Sequence, residues 1–187
     1  MQFVKAGFAG LASEAEVRLV LARTREAIAF LAPCQLVAVA YADWESAGAP
    51  SPAMVVAAAV AEGVAGVLLD TAGKESGRLT EIVPHGALAA FTAAASSAGL
   101  LVALAGSLTE EDLAAVIMAG AQVVGIRGAA CDGGRNERVS EARVSAVRLA
   151  LDTALSTLPV RRGASSRRPS RRPERPRDTP PRRGASA

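Results

Sequence analysis

The chain has 187 residues, half of them hydrophobic, so it can bury one substantial core and is expected to form a single folded domain. Its apolar segments are too short to cross a bilayer, no signal peptide is visible, and two cysteines are too few for a disulfide scaffold, so we expect a cytoplasmic protein with no membrane partner. The formal net charge of +3 is unevenly distributed, because arginines are concentrated after Pro159 and the preceding part is mildly acidic.

Five strand-then-helix units are predicted in chain order from the apolar patterns. The predicted strands are 2–6, 35–41, 64–69, 100–105 and 123–126, and the predicted helices are 14–31, one that opens at Ser51, 85–97, one capped by Thr109, and 140–156. Continuous apolar strands that alternate with helices indicate a parallel α/β sheet covered on both faces. Five such units fit either a doubly wound open sheet or part of an eight-stranded barrel. The glycine spacing after the first strand does not match a dinucleotide-binding fingerprint.

Residues 159–187 are rich in arginine, proline and serine and show no apolar periodicity. Because such a segment buries too little surface to offset the entropy of ordering, we expect a disordered tail after a folded domain at 1–158. The tail is either a solvated appendage or a weak binder of nucleic acid or acidic partners. Nucleic acid is the less favoured partner, because no aromatic side chains interleave the arginines for base stacking.

The lysine content indicates where chemistry could occur. Among 21 lysines and arginines, only Lys5 and Lys74 are lysines. Arginine stays protonated, whereas a desolvated lysine can release its proton and act as a base or nucleophile. Both lysines follow apolar strand-like runs, and Asp70 follows the third predicted strand. Since ligands collect at the carboxyl ends of parallel strands, we predict all three as catalytic residues, although Asp70 and Lys74 would also suit a surface loop.

Two other strand ends suggest a phosphate site. Gly106 and Ser107 follow the fourth strand, and Arg127 and Gly128 follow the fifth, so backbone N–H groups and a guanidinium fork could approach an anion closely. In eight-stranded barrels the loops after the last two strands frequently hold phosphate. The same loop continues into a glycine pair that would extend the site or form a simple turn, namely Gly133 and Gly134.

The remaining polar candidates are weaker. Asp43 follows the second strand and could position or deprotonate a substrate, or could serve only as a loop or helix-entry residue. His85 precedes a helix and is expected at the surface. Neither cysteine has neighbours with metal-ligand spacing, so no metal site is predicted.

Five segments at these strand ends have recognisable motifs: 3–7 (FVKAG), 41–43 (YAD), 69–74 (LDTAGK), 103–107 (ALAGS) and 125–134 (GIRGAACDGG). In these segments the chain resembles a known enzyme family, (5-formylfuran-3-yl)methyl phosphate synthase of the methanofuran branch of one-carbon metabolism. The resemblance runs from about residue 2 to residue 155 in unbroken order.

The resemblance implies a (β/α)₈ TIM barrel that acts as a carbon–oxygen lyase without a cofactor. Such an enzyme condenses two molecules of glyceraldehyde 3-phosphate, with loss of phosphate and water, into a furan aldehyde phosphate. In this sequence Lys5 corresponds to the proton acceptor of the family. Asp70 corresponds to an acidic residue of the family's pocket, and Lys74 corresponds to a basic one. The glycine-bearing loops fit phosphate binding. Burial and the nearby Arg127 are expected to lower the pKa of a lysine base.

In that family, three further strand–helix units precede the strand that corresponds to Lys5, and one carries the lysine that forms a Schiff base. The resemblance therefore implies an N-terminally truncated member that is inactive alone and is completed by a missing barrel portion or a homo-oligomer. Two other functions stay open: another Schiff-base aldolase or lyase barrel with Lys74 as the nucleophile, and a non-catalytic remnant that binds phosphate or a partner.

Overall fold

A computed structural model describes residues 3–31, 33–73 and 75–158 of the chain. The strands in this part are β1 Phe3–Gly7, β2 Gln35–Tyr41, β3 Gly66–Asp70, β4 Leu101–Leu104 and β5 Val123–Val124. The helices are α1 Glu14–Ile28, α2 Pro52–Ala61, α3 Leu79–Ile82, α4 His85–Ser97, α5 Leu113–Met118 and α6 Glu141–Ser156. The predicted tail lies outside the described residues.

The described strands form one parallel sheet in the order β1-β2-β3-β4-β5. Each strand pairs with the next strand of the chain, and Lys5 is in register with Val37, which is in register with Gly66. A doubly wound sheet reverses its strand order at one point, whereas a barrel adds every strand on the same side. The prediction of a parallel α/β sheet wound as in a (β/α)₈ barrel is therefore confirmed, and the doubly wound alternative is wrong.

The two faces of the sheet pack differently. The outer face contributes residues such as Ala38, Val67 and Val102 to a large core shared with the surrounding helices. The inner face forms a smaller apolar cluster around Val39 and Leu68. Within the described residues β1 and β5 each have a single strand neighbour. The inner face is consequently open at the two edges of this sheet.

Local sequence signals account for several helix starts. Ser13 caps α1 and receives a hydrogen bond from the Glu16 backbone N–H, while the Glu16 carboxylate accepts from the Ser13 N–H, which is a reciprocal capping box. Ser51 caps α2, which begins at Pro52 as predicted. Several boundaries were wrong. The helix predicted over 14–31 changes to a 3-10 turn after Ile28, the strand predicted over 64–69 runs from Gly66 to Asp70, and the strand predicted over 123–126 stops at Val124.

His85 is the exposed first residue of α4, which agrees with the predicted surface position. Over the described ranges, the model contains no helix whose length and hydropathy would let it cross a membrane.

Candidate active site

A cavity of ≈ 550 Å³ lies at the carboxyl ends of the strands, between the loops that follow β3, β4 and β5. We call this cavity the cleft. It brings together residues from β1, β3 and the two later loops, which are far apart in the sequence. Its lining includes Lys5, Asp70, Gly106, Ser107, Thr109, Arg127, Gly128 and Arg135.

Lys5 and Asp70 both point to the inner face of the sheet. Lys5 is central in β1 and its side chain is exposed, because no further strand covers the inner face beside β1 in the described residues. Asp70 is the last residue of β3 and is in register with Tyr41 on β2. Lys74, the other predicted catalytic lysine, lies outside the described residues. The structure therefore brings Lys5, Asp70 and Arg127 to one cleft.

Asp43 holds the loop after β3 in place. Its Oδ1 atom accepts a hydrogen bond of 2.8 Å from the Ala72 N–H, and its Oδ2 atom accepts bonds from the Gly73 N–H at 2.8 Å and the Ser76 hydroxyl at 2.7 Å. Burial raises the pKa of Asp43, but these hydrogen bonds outweigh it and leave the pKa below its ordinary value of 3.8. Asp43 does not contribute to the lining of the cleft. We therefore assign it to positioning the 70–73 segment.

This geometry predicts how Asp43→Asn changes stability with pH. At pH 7 we expect the free energy of unfolding to fall by about 1–2 kcal/mol, since bonds to a half-buried carboxylate are lost. A carboxyl whose pKa is lowered by folding stabilises the protein above its unfolded pKa, and this contribution disappears as pH falls through the folded pKa. The difference between wild type and variant should therefore shrink as the pH falls through the folded pKa of Asp43, which lies below 3.8. Urea denaturation at several pH values measures it.

Glu45→Gln is the matched control for this experiment, because Glu45 is an exposed carboxylate two residues further along the same loop. It should change stability by less than about 0.5 kcal/mol at every pH. A difference between wild type and Asp43→Asn that stays constant down to pH 2 would contradict the assigned contacts.

The loop after β4 has an unusual backbone. Ser107 has φ 51°, the one positive φ of a non-glycine residue among the described residues, and it follows Gly106 with φ 116°. The carbonyl of Gly106 accepts a 2.9 Å hydrogen bond from the Leu79 N–H, which ties this loop to the start of α3. Strained backbone of this kind is found most often at binding sites. This backbone conformation places the exposed Ser107 in the lining of the cleft.

Arg127 and Gly128, which are predicted to bind phosphate, line the cleft, whereas Gly133 and Gly134 line a neighbouring cavity of ≈ 480 Å³. The two cavities share Gly128 in their walls. The predicted glycine pair therefore lies next to the cleft and does not line it.

Two residues near the cleft were missed in the sequence. Tyr41 ends β2, and a Cβ atom on Gly7 would overlap its hydroxyl group, so the Tyr41 ring lies across the end of β1. Burial, and then the negative charges of Asp70 and Asp43, raise the pKa of Tyr41. Arg135 lines the cleft from a loop position that no strand or helix pattern marks. The position of Tyr41 at a strand end was the available signal.

A second carboxylate links the loops after β3 and β4. Asp112 is 6% exposed and accepts hydrogen bonds from the Thr109 N–H at 2.8 Å and from the Thr80 hydroxyl, with Arg78 at 3.5 Å. Burial raises the pKa of Asp112, but the hydrogen bonds and the Arg78 charge outweigh it and lower the pKa overall. This buried carboxylate fixes Thr109, which lines the cleft.

Across the described residues, no group of three or more histidine, cysteine, aspartate or glutamate side chains is arranged to hold a metal ion. The polar groups of the cleft are an amine, a carboxylate, two guanidinium groups, two hydroxyl groups and backbone N–H groups. This set suits acid–base chemistry on an anionic substrate.

A sequence profile described as 4-HFC-P synthase matches residues 1–148. The chain belongs to the 4-HFC-P synthase family. It is 34% identical over 139 residues to the (5-formylfuran-3-yl)methyl phosphate synthase of Methanopyrus kandleri, covering 74% of this chain and 59% of that protein. It is 36% identical over 153 residues to a Streptomyces griseus protein provisionally given the same name, covering 80% of this chain and 61% of the relative.

The chain thus spans about half to three fifths of the length of the curated relatives it matches. Members of the 4-HFC-P synthase family carry the names of synthase enzymes, so the chain belongs to an enzyme family. Among solved structures it overlaps with a deoxyribose phosphate aldolase from Aeropyrum pernix, at 13% identity and a TM-score of 0.41. That overlap covers 82% of this chain and 71% of the aldolase.

Proposed function

We propose that this 4-HFC-P synthase family member carries the proton-transfer and phosphate-binding part of a (5-formylfuran-3-yl)methyl phosphate synthase. The reaction is a carbon–oxygen lyase reaction that condenses two molecules of glyceraldehyde 3-phosphate, with loss of phosphate and water, into a furan aldehyde phosphate. One observation carries the proposal: Lys5, Asp70 and Arg127 line a single cleft at the carboxyl ends of parallel strands.

The proposed role of Lys5 is that of a general base. Forming a furan from two trioses requires protons to be removed from carbons next to carbonyl groups and added to departing oxygen atoms. An amine can do this when its pKa is brought close to the working pH, which an arginine cannot match. Asp70 lies in the same cleft and would return protons to the leaving groups. Lys74, four positions after Asp70 in the sequence, is proposed as a second supporting amine.

The loops after β4 and β5 are proposed to bind the substrate phosphate. Gly106 leaves space for backbone N–H groups to approach an anion, and the Ser107 hydroxyl is exposed beside them. Arg127 and Gly128 face this loop across the cleft. Within the described part of the chain, Arg127 has no carboxylate within 4.0 Å, so its charge is available to a ligand. The Gly133–Gly134 turn, which lies outside the cleft lining, would support the loop that carries Arg127.

We further propose that activity requires cover for the open inner face. Lys5 is exposed to water, whereas a lysine base and a Schiff base both work best in a water-excluded pocket. The cover would be further strand–helix units, in a longer polypeptide or a separate one, or a second copy of this chain. Such units would also supply the Schiff-base lysine that the family resemblance implies.

The test is an assay of the purified 187-residue polypeptide with glyceraldehyde 3-phosphate, following the furan aldehyde by its ultraviolet absorbance. We expect no turnover alone and turnover when the segment of the Methanopyrus kandleri relative that lies outside the matched region is added or fused. Turnover by the polypeptide alone would contradict the requirement for cover. Absence of product from the fused protein would contradict the proposed reaction. Borohydride trapping of a substrate adduct on Lys74 would instead indicate a different Schiff-base aldolase.

A further inference from the structure

A second arginine reaches the cleft beside Arg127. The Nε atom of Arg127 donates a 2.8 Å hydrogen bond to the main-chain carbonyl oxygen of Arg135, and both side chains line the cleft. The guanidinium group of Arg127 therefore lies against the backbone from which the Arg135 side chain departs. This contact fixes the Arg127 side chain against the loop that carries Arg135.

The loop that carries Arg135 is closed at its base. Cys131 and Val139 form an antiparallel bridge, and the Asp132 N–H donates a 3.0 Å hydrogen bond to the Arg138 carbonyl. The chain reverses at Gly133 and Gly134, whose φ angles of 86° and 126° are favoured only by glycine. The 131–139 loop is therefore a small hairpin whose turn leads directly into Arg135.

The charges in the cleft favour an anion. Lys5, Arg127 and Arg135 contribute positive charge to its lining, and Asp70 is the one carboxylate among the lining residues. Among the described residues, neither arginine has a carboxylate within 4.0 Å, whereas Arg78 and Arg143 are paired with acidic side chains. Because neither guanidinium group is neutralised by a carboxylate, an anion in the cleft would be attracted to both of them.

We propose that Arg127 and Arg135 form a clamp on one phosphate group bound in the cleft, with the 131–139 loop holding Arg135 in position. The planar fork of a guanidinium matches two phosphate oxygens, and two forks can hold the same group from different sides. Arg135 is then a binding residue of the cleft. The clamp rests on the proposed function for the phosphorylated nature of its ligand, although its binding can be measured without turnover.

The experiment measures binding of inorganic phosphate to the 187-residue chain by calorimetry at low salt. We expect one phosphate per chain, with affinity at least about tenfold weaker in Arg135→Ala and in Arg127→Ala, since each variant removes charge-assisted hydrogen bonds to the anion. Arg135→Lys should lie in between, because it keeps the charge and loses the fork. Arg138→Ala is the matched control, from the same loop but outside the cleft lining, and should bind as wild type.

Arg135→Ala binding as tightly as Arg138→Ala would overturn the clamp. So would two phosphates per chain, one removed by each arginine variant, because that result places the arginines in separate sites. Failure of the chain to bind phosphate at all would overturn both the clamp and the phosphate site. Phosphate binding as expected without furan formation in the fused protein would contradict the proposed reaction and leave the clamp supported.

Discussion

Replacing Lys5 by arginine is expected to lower furan phosphate formation by about 10²–10⁴-fold in the fused, complete synthase, the range that a general base contributes. Arginine keeps the positive charge and much of the length of the side chain, but it does not release its proton near neutral pH. Lys5 lies on the inner face of β1, where its long side chain reaches the same cleft as Asp70 and Arg127. A loss of rate therefore reports the missing base.

Two measurements separate this effect from unfolding, and a second variant compares the two lysines. Circular dichroism and inorganic phosphate binding should be unchanged in Lys5→Arg, because the exposed side chain packs against little and the charge is kept. Lys74→Arg, the same substitution at the other lysine of the chain, should cause a smaller loss in the proposed supporting role. The proposed role of Lys5 is wrong if Lys5→Arg keeps more than about a tenth of the wild-type rate.

The sequence predicts where each strand of the described sheet lies, and it fails at the end of β5. β2 and β3 appear as uninterrupted apolar runs, because side chains on both of their faces are buried. The run 123–126 looks similar, yet β5 ends at Val124. A Cβ on Gly125 would lie 2.9 Å from the Ala105 Cβ, so the chain passes β4 closely at this point, and a contact between segments 20 residues apart leaves no local pattern.

Site residues follow the same rule. Lys5 can be found from composition, because lysine is scarce in this chain and residue 5 lies in a predicted strand. The role of Asp43 cannot be predicted from the sequence, because its partners Ala72, Gly73 and Ser76 come 29 to 33 residues later. Asp112 likewise receives a hydrogen bond from a residue 32 positions earlier. In both loops a carboxylate holds backbone and hydroxyl groups in place through contacts that no local sequence pattern marks.

Gly106→Ala is expected to destabilise the chain by about 3 kcal/mol and to remove most phosphate binding. A φ of 116° is unfavourable for alanine and costs about 1–3 kcal/mol. The added Cβ would also lie 2.9 Å from the Thr71 Cγ2 atom, 3.1 Å from the Thr71 N atom and 3.2 Å from the Leu79 Cβ. Because the Thr71 N atom belongs to the backbone that Asp70 and Asp43 hold, relief of this crowding must move the loops apart.

Gly99→Ala separates backbone strain from crowding. Gly99 also has a positive φ, 83°, but no atom lies within 4 Å of the position of an added Cβ, and it follows α4 away from the cleft. Urea denaturation should therefore show a loss of about 1 kcal/mol for Gly99→Ala with normal phosphate binding. Equal losses of stability in the two variants would mean that the loop after β4 can shift freely. In that case the close packing of Gly106 against Thr71 and Leu79 would not be what shapes the phosphate side of the cleft.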